Sequence, residues 1–168
     1  MNFAKRFFRH VWMTPFFARR AFSTATLAAI EHAVMASEKK HRGQIRFVVE
    51  AELTTGQLWA GISSRQRAVS VFSELAVWDT EENNGVLVYV LLADRKVEIV
   101  ADRGIHQHVG GERWRAICNE LEVHFRNGDF ATGSIGAIEK ITSEISHYFP
   151  LVRDDFPRNE QPDKPVLL

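Results

Sequence analysis

The chain of 168 residues has a single cysteine, so it can build neither a disulfide framework nor a cysteine-based zinc site. It has five prolines, and four of them, Pro150, Pro157, Pro162 and Pro165, stand in the carboxyl-terminal stretch. It has no run of about 20 apolar residues, the length a bilayer span needs. No apolar stretch leads into a small-residue cleavage site, so no secretory signal peptide is expected. Net charge is also absent: 21 basic groups balance 21 acidic ones, which argues against a dedicated nucleic-acid binder. A glycine-rich phosphate loop, a Gly-x-Ser-x-Gly elbow and a Ser/Cys–His nucleophile spacing are all missing. No nucleotide cofactor is therefore expected, and no nucleophile can be named.

What is present is the profile of a soluble globular protein, 45% hydrophobic and 25% charged. The length fits one domain with tails. The zero charge conceals an asymmetry. The first 20 residues hold Lys5, Arg6, Arg9, Arg19 and Arg20 and no acid, leaving 16 basic against 21 acidic groups in the other 148. The same segment carries Phe3, Phe7, Phe8, Val11, Trp12, Phe16 and Phe17. Its apolar residues at 3, 7, 8 and 11 follow helical spacing, and Pro15 should stop or kink the helix. Residues 1–21 thus form a basic amphipathic segment with two open readings. In one, Lys5, Arg6, Arg9, Trp12 and Phe16 contact a membrane surface or a membrane-protein partner. In the other, the helix covers the domain's own apolar surface.

The domain proper is expected over residues 22–149, with 150–168 as a Pro-rich extended tail. Ser23 reads as the N-cap of a first helix and Phe22 as its staple on Leu27. Lys39, Lys40, His41 and Arg42 suit that helix's carboxyl end, and Gly43 reads as its stop. Gln44–Leu53 alternates and is β-rich, and reads as a strand. A second helix starts at Ser63 or Ser64. Gly85–Ala93 is uncharged and reads as a central strand buried on both faces. Asp94-Arg95 is a turn into the alternating strand Lys96–Ala101. Two more helices carry the stripes Trp114, Ile117, Cys118, Leu121, Phe125 and Ile135, Ile138, Ile141, Ile145, Phe149. Strand–helix–strand is a parallel crossover and the third strand returns antiparallel. The expected fold is α/β, a small mixed sheet sandwiched between helices.

That topology brings His41-Arg42-Gly43, Asn83-Asn84-Gly85 and Asp102-Arg103-Gly104 to one rim. Asp79, Glu81, Glu82, Asn83, Asn84 and Asp102 gather side-chain oxygens there. Hard cations such as calcium or magnesium take oxygen ligands, about six to eight for calcium. The spacing is not an EF-hand, and a polar turn explains the same residues. The rim also lies opposite the strand ends where open parallel sheets usually bind ligands. Elsewhere, His106 and His108 read as surface turn histidines. Cys118 reads as a buried core thiol. Arg65, Arg67, Arg103 and Arg113 read as solvated, with phosphate binding as the alternative.

Gly43-Gln44-Ile45-Arg46-Phe47-Val48-Val49, Asn83-Asn84-Gly85-Val86-Leu87-Val88-Tyr89-Val90, Asp94-Arg95-Lys96-Val97-Glu98-Ile99 and Gly104-Ile105 together resemble the TPM domain. Phe125-Arg126-Asn127-Gly128-Asp129-Phe130, with Gly133 after it, does so too. This family was named from thylakoid-lumen, photosystem-repair and acetylcholine-receptor-modulator proteins. The resemblance covers roughly residues 22 to 149 and implies an α/β sandwich. It also implies divalent-metal binding, calcium or another ion, near the Asn-Gly loop, and either acid phosphatase activity or accessory work on membrane complexes. The chain departs from the family plan in showing no signal peptide and no carboxyl-terminal anchor, and so resembles a stand-alone bacterial-type branch. The expectation is a cytoplasmic accessory or interaction protein, peripheral on the inner membrane and metal-binding at the rim. The alternative is a metal-dependent phosphatase acting on phosphomonoesters.

Overall fold

The computed structural model describes residues 3–13, 15–152 and 159–168. Pro157 and the middle of the expected tail lie outside the described residues. The elements in chain order are α1 (Phe3–Trp12), α2 (Pro15–Ala21), α3 (Thr24–Glu38), β1 (Gln44–Glu50), α4 (Thr55–Trp59) and α5 (Ser64–Glu74). After them come β2 (Gly85–Leu91), β3 (Lys96–Ala101), α6 (Arg103–Val109), α7 (Gly111–Arg126), α8 (Phe130–Tyr148) and β4 (Val166–Leu167).

Local chemistry sets the boundaries. Pro15 opens α2, where its fixed φ suits the first helical position. Ser23 caps α3 by accepting from Thr26 N, and both Thr54 and Ser63 close capping boxes on α4 and α5. Helix α3 ends at Glu38, with Lys39 as C-cap. Gly43 is therefore not its stop. The segment Asp102-Arg103-Gly104, expected as a turn, is the N-cap and first turn of α6, because the Asp102 carboxylate accepts from Arg103 N at 2.7 Å. His106 and His108 are accordingly helical and not turn residues.

The sheet runs β3-β2-β1-β4. β1 and β2 are parallel, with Gln44 opposite Gly85 and Glu50 opposite Leu91. β3 returns antiparallel to β2, and β4 adds parallel to the far edge of β1. Each face is covered. Phe22, Ile30, Ile45, Phe47, Val88, Ile117, Leu121, Ile138 and Ile141 form one core under α3, α7 and α8. Val48, Leu58, Val71, Leu87 and Tyr89 form the other under α4 and α5.

β1 differs from its alternating pattern, for every residue from Gln44 to Glu50 is buried. Its polar side chains are matched inside. Gln44 Oε1 accepts from the amides of Glu160 and Gln161, both at 3.1 Å. Arg46 donates to the carbonyls of Pro162 and Lys164. Glu50 takes a fork from Arg67 at 3.0 and 3.1 Å and the hydroxyl of Tyr89. Residues 159–168 of the tail thus lie along the sheet, and their polar backbone satisfies β1.

One buried carboxyl here titrates in an unusual range. Burial, then the neighbouring Asp163 carboxylate, pushes Glu38 up to about 8. The fold therefore holds a proton that the unfolded chain has released, so stability should fall as pH rises from about 4.5 to about 8. Urea midpoints measured across that window should decline for the wild type, and Glu38→Gln should flatten the profile.

Candidate functional site

The parallel pair β1–β2 and the hairpin to β3 do bring the three predicted turns to one rim. Arg42 Nη1 meets Glu82 Oε1 at 2.5 Å. Asn84 Nδ2 donates to Arg42 O at 3.2 Å and to Glu82 Oε2 at 3.3 Å. Asp102 N donates to Gly85 O at 2.9 Å. Asn83 adopts a left-handed φ of 53°, a conformation asparagine tolerates. Gly104 is packed so closely that a Cβ would fall 2.5 Å from Asn83 O and 2.6 Å from Glu82 O.

The six oxygen-bearing residues differ in their surroundings. Asp79, Glu81 and Asn83 are exposed, and Glu82 is neutralised by Arg42. Among the described residues, no group of three or more His, Cys, Asp or Glu side chains stands close enough to share an ion. Two oxygens remain, Asn84 Oδ1 and Asp102 Oδ2. Both are buried without a hydrogen-bond partner, and both adjoin Gly85. Buried acceptors of this kind are costly unless something outside the chain meets them.

A serine–histidine contact that the sequence did not disclose lies nearby. Ser37 Oγ is 2.7 Å from His41 Nε2, and Thr142 Oγ1 donates toward Ser37 at 2.7 Å. Ser37 lies in the last turn of α3 and His41 just beyond its C-cap, Lys39, so helical periodicity gave no signal for the pair. Ser37 and His41 are only 2% and 1% exposed. Burial pushes the imidazole down to about 4, so it stays neutral, and the contact ties α3 to α8. The predicted core thiol is confirmed: Cys118 is buried, and burial pushes its thiol up to about 12. The arginines are not all solvated. Arg67 holds Glu50 and Glu74, Arg65 donates to Ile99 O at 2.5 Å, and Arg113 meets Glu144.

The amino-terminal segment docks through a polar cluster as well as through two of its rings. Arg6 forks onto Asp94, with Nη2 to Oδ2 at 2.8 Å, and also donates to Ile62 O at 2.7 Å. Arg9 Nη2 reaches Asp94 Oδ1 at 3.2 Å. His10 Nε2 lies 3.1 Å from the same oxygen, while its Nδ1 accepts from Leu53 N at 2.9 Å. The ring therefore carries its proton on Nε2. Burial alone would raise the Asp94 carboxyl, but hydrogen bonds from His10 and Arg6 outweigh it and hold Asp94 below the usual carboxylate range. Of the expected surface contacts, then, Arg6 is turned inward and Arg9 is committed to Asp94. Phe7 packs on the α4–α5 core, and Phe3 meets Trp59 with ring centroids 5.2 Å apart. Phe8, Val11, Trp12, Phe16 and Phe17 face outward, Trp12 being 78% exposed.

A family model for the TPM domain matches residues 18–144. Among solved structures, the chain is similar to the NMR structure of BA42 from the psychrophilic bacterium Bizionia argentinensis. The two share 30% identity and a TM-score of 0.74, over 86% of this chain and 94% of that one. It is also similar in fold to the N-terminal domain of a P. gingivalis protein, at 16% identity and a TM-score of 0.58, over 76% of this chain and 78% of that one. No curated protein matches the chain.

Removing one charge from the Asp94 cluster should free the helix without unfolding the sheet. Asp94→Asn leaves two guanidinium groups without their counter-ion, and breaking a buried pair costs about 3 kcal/mol. Amide exchange over residues 3–12 should then accelerate about a hundredfold while the protection of β1 and β2 is kept. Unchanged exchange would assign the docking to Phe3 and Phe7 instead.

Proposed function

The chain belongs to the TPM domain family, and on that premise we propose that it is an accessory module that rests on an anionic lipid surface through α1 and α2. The observation that carries this reading is the exposed apolar face left by the docking of α1. Phe8, Val11, Trp12 and Phe16 face outward beside Lys5 and Arg19, all exposed. A contiguous exposed apolar face marks an interaction site more often than chance. Aromatics seated in the headgroup region with cations beside them are the chemistry of an interfacial helix. Each such cation contributes about 1 kcal/mol near an anionic leaflet. No helix among the described residues is long and apolar enough to cross a membrane, which suits a surface contact. Inside the protein, the Asp94 cluster holds the helix in place, so its aromatic face is presented before any lipid is met.

A second reading attaches to the rim and draws on the two orphaned oxygens. The Asn84 amide oxygen and the Asp102 carboxylate, completed by backbone carbonyls and water, would hold a divalent ion such as calcium. The ion would supply positive charge that fixes the rim loops for a partner. With a single carboxylate oxygen, Asp102 Oδ2, to offer beside one amide oxygen, the affinity belongs in the weak, roughly 0.1–1 mM class of calcium sites. Phosphomonoester hydrolysis is the weaker alternative. The Ser37–His41 contact is sealed from substrate, and the rim carboxylate Glu82 is spent on Arg42.

Two measurements test these readings. The full chain should co-sediment with vesicles of phosphatidylglycerol and phosphatidylcholine and far less with phosphatidylcholine alone. The exposed-face variant Phe8→Ala/Trp12→Ala/Phe16→Ala should lower that partition by at least about tenfold with its circular dichroism unchanged; equal sedimentation would sink the surface reading. In a calcium titration followed by amide NMR, shifts should be confined to residues 79–85 and 102–106 and vanish in Asp102→Asn. Shifts scattered over the acidic surface would return the rim to an ordinary polar turn.

A further inference from the structure

A cavity of about 700 Å³ lies at the other end of the sheet, where β2 finishes. Val90, Leu91 and Leu92 close its inner wall, and it continues between α2 and the loop joining α7 to α8. Its floor is aromatic. Phe125 and Phe130 touch each other with centroids 5.1 Å apart, and both touch the buried Phe22, at 5.6 and 5.4 Å. Met13 and Phe17 form the opposite wall. This is the carboxyl end of the parallel strands, the end at which open α/β sheets place their ligands, and the volume falls within the usual range for small-molecule sites.

The polar lining is lopsided. Arg20, Arg95, Lys96 and Arg126 face Glu122 and Asp129. Lys96 is spent on Glu122, 3.2 Å away, and Glu122 also accepts from Val97 N. That leaves three guanidinium groups, those of Arg20, Arg95 and Arg126, without a side-chain partner among the described residues, against one carboxylate. Asp129 heads the 19-residue helix α8 but makes no side-chain capping bond, so the first amides of α8 beside the cavity lack a side-chain acceptor. Gly128, Ala131 and Thr132 line the same mouth.

We propose that this cavity binds a single-tailed anionic amphiphile, its acidic head held by Arg20, Arg95 and Arg126 and its hydrocarbon tail laid over Phe125, Phe130 and Phe17. Guanidinium forks fit the two oxygens of a carboxylate or phosphate head, and the positive end of the α8 dipole lies at the same mouth. The apolar wall has no polar group to reward a purely hydrophilic anion, so head and tail must both contribute. The site does not depend on the α1 surface meeting a bilayer. Its ligand is one monomeric molecule held in a pocket, not a membrane.

The test uses the full chain and probes below their aggregation concentrations: decanoate, acetate as head alone, and decanol as tail alone. Decanoate should shift the amides of Val90–Leu92, Gly128, Ala131 and Thr132, and bind at least about tenfold more tightly than either fragment. Arg95→Gln/Arg126→Gln, both exposed positions, should weaken decanoate about tenfold or more and leave decanol unchanged. Arg20→Gln alone gives a second, milder check on the same head site. The Phe8→Ala/Trp12→Ala variant should bind decanoate as the wild type does, which separates this site from the surface reading. Equal binding of decanol and decanoate, equal binding of acetate and decanoate, or an unaffected arginine double variant would each overturn the assignment.

Discussion

The rest of the molecule is organised around a polar strand that has been placed in the interior. β1 pairs on both edges and is covered on both faces, yet it carries Gln44, Arg46 and Glu50. Each of these must find a partner inside, because a buried polar or charged group left alone costs several kcal/mol. Gln44 and Arg46 take backbone groups of the carboxyl-terminal segment, and Glu50 takes Arg67 from α5 and Tyr89 from β2. The requirement to satisfy one strand therefore recruits the tail, a helix and the neighbouring strand into a single arrangement. It also explains why a segment rich in proline, unable to form a helix, runs in a defined path across the sheet.

The same logic decides the position of the amino terminus. Asp94 sits at the β2–β3 turn with its side chain 5% exposed, and a lone buried carboxylate there would be unstable. Arg6, Arg9 and His10 supply it with donors, and His10 simultaneously satisfies the amide of Leu53. α1 thus docks through this polar cluster together with Phe3 and Phe7, and leaves Phe8, Val11 and Trp12 exposed. The two ends of the sheet then differ in character. The rim at the strand starts holds paired charges and two unmet oxygens, and the end at the strand finishes holds unmet cations over an aromatic floor.

Much of this was legible in the sequence, and the misses share a physical origin. Periodicity found the three longer strands, α3, α5, α7 and α8, and the convergence of the Gly43, Gly85 and Gly104 turns, because local patterns encode local structure and parallel pairing aligns strand starts. The capping role of Ser23 was legible for the same reason. Pairing between distant residues was not. The partners of Gln44 and Arg46 gave no signal in the strand pattern because they lie over a hundred residues away. Arg6 read as a surface cation because nothing near it in sequence is acidic. Asp102 read as part of a ligand turn, and its role as N-cap of α6 showed only once Gly104 was seen against the carbonyls of Glu82 and Asn83. The ion pair of Arg42 with Glu82 on the rim was likewise hidden, because its partners lie 40 residues apart.

The Tyr89–Glu50–Arg67 cluster turns the protein into its own optical gauge. Burial, with the Glu50 carboxylate beside it, raises the Tyr89 phenol far above the ordinary tyrosine range, and the ring is fully enclosed between β1 and the α5 layer. Its tyrosinate band near the ultraviolet edge is thus silent for as long as the sheet is closed. The other tyrosine, Tyr148, lies exposed on α8. Raising the pH on a spectrophotometer would show the phenol of Tyr89 ionising only in molecules whose sheet has opened. The amplitude of that ultraviolet band, beyond the contribution of Tyr148, would report the fraction of molecules opened, without a label and without touching either end of the protein.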